Sequence, residues 1–348
     1  MKKVFSFLLS CVLLMGALSG CGPKSAANEV NVFNWGEYID ESIFADFEKE
    51  TGIHVNYKVF DKNESMYATL ASGSSDYDVI IPSDYMISRM IGEDMLEKID
   101  FANIPNAADL DPSLANPAYD PTGEYSVPYM WGTVGIIYNT TKITKPVTGW
   151  DSLFDPDNKG QVLMFDNSRD CIGIALKRLG YSFNTTDEGE IQKAVDMLIQ
   201  QRADGLVQAY TMDQIFDKME VGEAAIGPYY AGDFITMNAS NPNLAFCFPE
   251  EGTNRFVDAM CIPKGASNKA NGEAFINFMC STDAGLKNCE MIGYSTPLLS
   301  VREQLPDELK NSPVAYPDEE TLSRCEAFLN LPEATLSFYD SEWLRLKT

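Results

Sequence analysis

Strand and helix patterns alternate along the first quarter of the chain, and few architectures accept that order. Residues 30–35 (Val30-Asn31-Val32-Phe33-Asn34-Trp35) read as a strand. Residues 41–50 follow as a helix with Ile43, Phe44 and Phe47 on one face, stopped by Thr51-Gly52. A strand at 53–60, a helix at 63–71 with Met66 and Leu70 at helical spacing, and a strand at 77–81 come next. The last of these is nearly all apolar, as in a covered parallel sheet, and Pro82-Ser83 stops it before a helix near Asp84. The alternation predicts an α/β fold. The middle repeats the theme, with strands at 160–165, 224–229 and 244–248 and helices at 170–179 and 186–201. Helices at 271–280 and 284–291 follow, and 302–310, 318–327 and 335–346 read as closing surface helices.

A chain of 348 residues exceeds the usual ~100–200 residues of one domain, so two lobes are expected. Two apolar stretches, 131–139 and 257–263, sit where the chain could pass between them. Read as crossovers, they divide the chain into a first lobe of 30–134 plus 260–348 and a second lobe of 135–259. A ligand would then lie in the cleft between lobes, at the C-terminal ends of the strands.

The N-terminus has the secretory pattern. Lys2 and Lys3 precede an apolar run at 4–18, which is too short for a convincing membrane span. Leu18-Ser19-Gly20-Cys21 resembles the bacterial lipobox, which implies a leader of 1–20, lipidation of Cys21 and a small, polar tether over 21–29. The remainder is expected to be extracytoplasmic.

Charge and rare residues exclude several functions. With 51 Asp and Glu against 26 Lys and Arg, net −25, the chain is a poor partner for nucleic acid. The single histidine, His54, lies in an alternating strand and leaves no His-rich metal site and no ordinary Ser–His or Cys–His pair. Beyond Cys11 and Cys21 the cysteines are Cys171, Cys247, Cys261, Cys280, Cys289 and Cys325, with no CxxC pair, so disulfides and buried free thiols are both open. No cofactor or metal is expected.

Aromatic and acidic residues recur at the strand ends: Trp35-Gly36-Glu37-Tyr38, Ser83-Asp84-Tyr85, Asp166-Asn167-Ser168-Arg169-Asp170, Tyr229-Tyr230-Ala231-Gly232-Asp233, Phe256 with Asp258, and Tyr294. Singly, each has an ordinary explanation in packing or helix capping. Together they complement a linear polycation, because ring faces receive methylenes and ammonium groups while carboxylates accept charge-assisted hydrogen bonds. A sugar would call for more Asn, Gln and Arg, and an anion for Arg or for helix N-termini free of carboxylates.

The sequence also resembles the spermidine/putrescine-binding proteins of bacterial polyamine ABC transporters, over nearly the whole chain beyond the leader. The resemblance is carried by Phe33-Asn34-Trp35-Gly36-Glu37-Tyr38, Glu50-Thr51-Gly52, Asn63-Glu64-Ser65-Met66-Tyr67-Ala68, Pro82-Ser83-Asp84-Tyr85, Tyr125-Ser126-Val127-Pro128-Tyr129-Met130-Trp131-Gly132, Leu179-Gly180-Tyr181-Ser182 and Ile292-Gly293-Tyr294-Ser295-Thr296-Pro297. It implies a type II periplasmic-binding-protein fold, two lobes each with a central, mostly parallel sheet flanked by helices, closing on a polyamine for delivery to a membrane permease.

Position by position, the resemblance gives Trp35, Tyr38, Tyr85, Tyr230, Phe256 and Tyr294 as the ring-lined wall, Ser83 as a hydroxyl contact, Asp170 and Asp258 as amine partners, and Glu37 as an acidic neighbour. Asp84 and Asn167 complete the expected ligand-binding set. Gly36, Asn167, Tyr230, Phe256 and Phe328 depart from residues familiar in relatives, so the preferred amine stays open. The expected molecule is a lipid-anchored monomer without catalysis. Competing readings are the same fold with another cationic amine, a sugar or an iron complex, and an extracytoplasmic hydrolase using carboxylates such as Asp166 and Asp170.

Overall fold

The computed structural model describes residues 28–73 and 76–348. The expected leader, Cys21 and all but the last two residues of the 21–29 tether lie outside these described residues. In the first lobe β1 (Glu29–Trp35) runs parallel between β2 (His54–Phe60) and β3 (Val79–Ile80). Parallel neighbours need crossovers, and α1 (Ser42–Thr51) and α2 (Asn63–Ala71) supply them. Gly52 ends α1 at φ 72°, a left-handed conformation that suits glycine. The two faces of β1 feed two cores: Val30 and Val32 pack with Ile43, Phe47 and Phe275, while Phe33 packs with Phe60, Met66 and Met86. His54 lies exposed on β2, 3.3 Å from Glu48.

After β3 come α3 (Asp84–Gly92), the short β4 (Leu96–Glu97) and β5 (Ser126–Asn139). β5 is buried along almost its whole length and belongs to both lobes. Its residues Ser126 to Thr133 pair with β10 (Arg255–Pro263), and Val134 to Tyr138 pair with β8 (Ile226–Tyr230), antiparallel in both cases. β10 pairs in turn with β3 and β4, so one strand path runs β2-β1-β3-β10-β5-β8-β6-β7. Two aromatic rings lie over bare β5 backbone: a Cβ at Gly132 would stand 2.8 Å from Phe256 and one at Gly135 2.1 Å from Phe246.

The second lobe repeats the parallel pattern. β6 (Val162–Phe165) lies between β7 (Val207–Thr211) and β8, with β9 (Leu244–Cys247) against β5. Its helices are α4 (Ser168–Arg178), α5 (Glu188–Ala203), α6 (Gln214–Glu220) and α7 (Ala231–Ser240). β7, α6 and α7 are not predicted by the sequence patterns above. α8 (Lys269–Met279) and α9 (Thr282–Ile292) return the chain to the first lobe.

The closing helices differ from expectation. The segment expected at 302–310 is two short helices, α10 (Leu299–Gln304) and α11 (Asp307–Lys310), separated at Pro306 because proline cannot continue a helix ladder. α12 (Glu319–Ser323) stops early because Glu326 bonds with Thr253 and Arg255, beside the other two connections between lobes. α13 (Glu333–Lys347) then packs on α4 and α5, with Tyr339 and Leu346 in the second lobe's core. The expected grouping of 260–348 with the first lobe therefore does not hold for α13. Its buried stripe identifies a helix but not the surface it covers. The six cysteines beyond Cys21 are free, and Cys171, Cys261, Cys280 and Cys289 are buried.

Candidate functional site

The strand ends of both lobes meet beside β5 and β10. Four rings converge there. Tyr294 lies 5.8 Å from Tyr38 and 5.8 Å from Phe256, and Tyr230 of the second lobe lies 5.6 Å from Phe256 and 6.4 Å from Tyr294. These centroid separations suit edge-to-face and tilted aromatic contacts. Gly132 admits the Phe256 ring, and Gly232 admits Tyr294, since a Cβ there would stand 2.2 Å from the ring. Gly132→Ala is expected to lower stability by about 1–3 kcal/mol, as overpacking does, and to weaken ligand binding by tilting Phe256. Thermal melts with paired titrations check it, and a variant indistinguishable from the parent in both would refute the role.

Carboxylates stand around the rings. Asp258 of β10 is buried and accepts the Tyr38 hydroxyl at 2.8 Å and the Ser83 hydroxyl at 2.6 Å. Burial pushes its carboxyl up to about 6, with the two hydroxyls acting in the opposite sense. Asn167 caps α4, accepting the Asp170 N–H at 2.8 Å and donating from Nδ2 to the Asp170 carboxylate at 2.6 Å. Asp170 is likewise raised to about 6 by burial. Asp233, in the first turn of α7, accepts the Tyr294 hydroxyl across the lobes at 2.9 Å and is raised to about 6, again chiefly by burial. Asp84, at the start of α3, is 1% exposed. None of these four acids forms an ion pair among the described residues, whose ion pairs lie elsewhere.

Trp35 and Tyr85 make their hydrogen bonds within the first lobe. Trp35 is half-buried, donates to the Ile81 carbonyl at 2.9 Å and packs on Phe60 at 4.6 Å. The Tyr85 hydroxyl donates to Glu64 at 2.9 Å and accepts from Asn63 at 3.1 Å, so its ring end is fixed by its own lobe. Glu37 is exposed in a turn, at φ 52°. Asp166, the other acid of the hydrolase reading, is ion-paired with Lys347 at 2.7 Å. Arg169, the cation nearest the acids in sequence, donates instead to the Leu329 carbonyl and to Asn184 and stacks 4.7 Å from Phe328.

Asp233 and Asn63 are the residues that sequence reasoning missed. Asn63 accepts the Ser83 N–H at 3.1 Å while holding Tyr85. Asp233 had a usable signal: it closes the same Tyr-Tyr-Ala-Gly-Asp strand end that carries Tyr230. Its partner Tyr294 is distant in sequence, and only the fold brings the two together.

Chemically, this arrangement can receive an organic cation. Rings receive its hydrocarbon and its charge, and unpaired carboxylates accept its N–H groups. An anion would meet Asp170, Asp233 and Asp258, none of them in an ion pair among the described residues.

The profile of a family described as bacterial extracellular solute-binding protein matches residues 42–316. The spermidine/putrescine-binding periplasmic protein of Escherichia coli is 36% identical over 350 residues, covering 100% of this chain and 99% of its own. A Listeria monocytogenes structure described as a spermidine/putrescine ABC transporter is 38% identical with a TM-score of 0.86, covering 92% of this chain and 99% of that one. The substrate-binding protein of a Streptococcus pneumoniae spermidine/putrescine ABC transporter is 36% identical with a TM-score of 0.83, covering 92% and 98%.

Proposed function

The chain belongs to the bacterial extracellular solute-binding family, with full-length relatives that bind spermidine and putrescine, and from that premise we propose that it captures a polyamine outside the cytoplasm and delivers it to an ABC transporter permease. The observation that carries the reading is the set of buried acids, Asp170, Asp233 and Asp258, around the rings of Tyr38, Tyr230, Phe256 and Tyr294, none of them in an ion pair among the described residues. An ammonium group that replaces the hydroxyl contacts of Asp258 gains a charge-assisted bond of about 1.5–3 kcal/mol. Contact with a ring face adds about 0.5–2 kcal/mol. Micromolar affinity needs about 8.2 kcal/mol, which two such ends and a desolvated alkyl chain supply after ordering costs.

The Tyr294–Asp233 bond and the Tyr230–Tyr294 contact join the two lobes at the site, which supports closure of the lobes on the ligand. The Leu18-Ser19-Gly20-Cys21 motif supports a lipid anchor at Cys21.

Calorimetric titration and thermal shift with putrescine, spermidine, spermine, a sugar panel and amino acids test the ligand. A bound amine at 100 times its dissociation constant is expected to add about 2.7 kcal/mol of stability. Saturable binding of a sugar, with no amine binding, would overturn the reading.

A further inference from the structure

Asp84 is a ligand-facing residue by its place in the sequence, yet its surroundings give it a different part. It begins α3 and follows Ser83, whose bridge to Asp258 sets α3 against β10. Its side chain is 1% exposed. Oδ1 accepts the Tyr85 N–H at 2.7 Å, while Oδ2 is buried and makes no well-formed hydrogen bond among the described residues, although the Val257 N–H interacts with the carboxyl. The hydroxyl of Tyr119, also buried, has no hydrogen-bond partner among the described residues. The groups that act on the charge of the Asp84 carboxyl are Asp258 from β10, Tyr119 from the loop before β5, Arg169 from α4, and the N–H groups of Tyr85 and Val257.

An ionised carboxylate enclosed in this way, beside a second carboxylate and outside any ion pair, is costly. A carboxylic acid that keeps its proton avoids that cost and carries its own donor. Two neighbouring acids of this kind cannot both ionise freely. We propose that Asp84 is held as a neutral carboxylic acid behind Asp258, so that this end of the cleft presents one negative charge and receives one ammonium group. Burial, the largest influence, and the charge of Asp258 both favour the proton. The Tyr85 and Val257 N–H groups and Arg169 oppose it, and the balance leaves the carboxyl well above its ordinary range. Asp84 is thus a positioning residue that sets the charge of the site rather than a contact. The ammonium count rests on the polyamine reading above, whereas the protonation of Asp84 does not.

Infrared difference spectra between the wild type and Asp84→Asn at about pH 7.5 should show the carbonyl stretch of a protonated carboxylic acid in the wild type only. In calorimetry Asp84→Asn should keep putrescine affinity within about threefold of the wild type, whereas Asp258→Asn loses about a hundredfold or more. Absence of the protonated-acid band, or a loss in Asp84→Asn as large as that in Asp258→Asn, overturns the proposal. If Asp84→Asn does not fold, the wild-type spectrum decides: a protonated-acid band supports the proposal and its absence overturns it. A wild type that binds no amine would sink the polyamine reading, while the infrared result would still settle the state of Asp84.

Discussion

Asp258→Asn is expected to weaken putrescine and spermidine binding by about a hundredfold or more, the loss that follows when one partner of a buried charged pair is neutralised. The substitution is nearly isosteric, and the amide oxygen still accepts the Tyr38 or Ser83 hydroxyl, each of which holds the carboxylate in the parent. Stability should not fall with affinity. Burial already raises the Asp258 carboxyl to about 6, which means that ionisation near neutral pH costs the ligand-free fold free energy. Removing the charge is therefore expected to leave the ligand-free melting temperature unchanged or higher. Calorimetry and melting curves on the same preparations separate the two effects, and unchanged affinity in a folded variant would refute the role of Asp258 as the principal ammonium partner.

How much of this is visible before folding depends on whether a residue's partner is local. α2 spans Asn63–Ala71, where helical spacing alone puts it, and β1 and α1 fall within a residue or so of their expected ends. β3 is shorter than its apolar run, although the Asp78 N–H still bonds the Asn31 carbonyl at 2.8 Å and the Ile81 N–H that of Phe33 at 3.2 Å. α7 is missed because Ala231-Gly232-Asp233 reads as a turn, while Gly232 is there to admit the ring of Tyr294. The same distinction applies to the site. Strand ends gather Asp258, Ser83, Tyr38, Tyr230 and Phe256, because the direction of each strand fixes the rim at which it stops. Which acid meets which hydroxyl, and which acid is buried with no well-formed hydrogen bond at one oxygen, depends on contacts between distant segments. The pairing of Asp233 with Tyr294 and the special position of Asp84 are therefore legible only in the fold.

Acidification should oppose ligand capture. Asp170, Asp233 and Asp258 each sit near 6 in the ligand-free protein, raised mainly by burial. An ammonium ion seated against a carboxylate favours its ionised form, so binding must expel whatever proton the acid holds. At about pH 7.5 these acids are largely ionised and little proton is displaced, whereas at about pH 5 most are protonated and each one engaged weakens binding by roughly tenfold. For Asp258 and Asp170 together the expected loss between those two values is about a hundredfold. Stability of the ligand-free fold moves the other way. Its carboxyls hold protons more tightly than those of the unfolded chain, so lowering the pH from about 6 towards about 4 stabilises it in respect of these groups. The shift in melting temperature produced by saturating putrescine should therefore shrink as the pH falls through this window. Titrations near pH 6 in buffers of different ionisation enthalpy should show net proton release on binding. Affinity that stays level from pH 7.5 to 5, with no buffer dependence, would mean that these acids do not meet the ammonium groups.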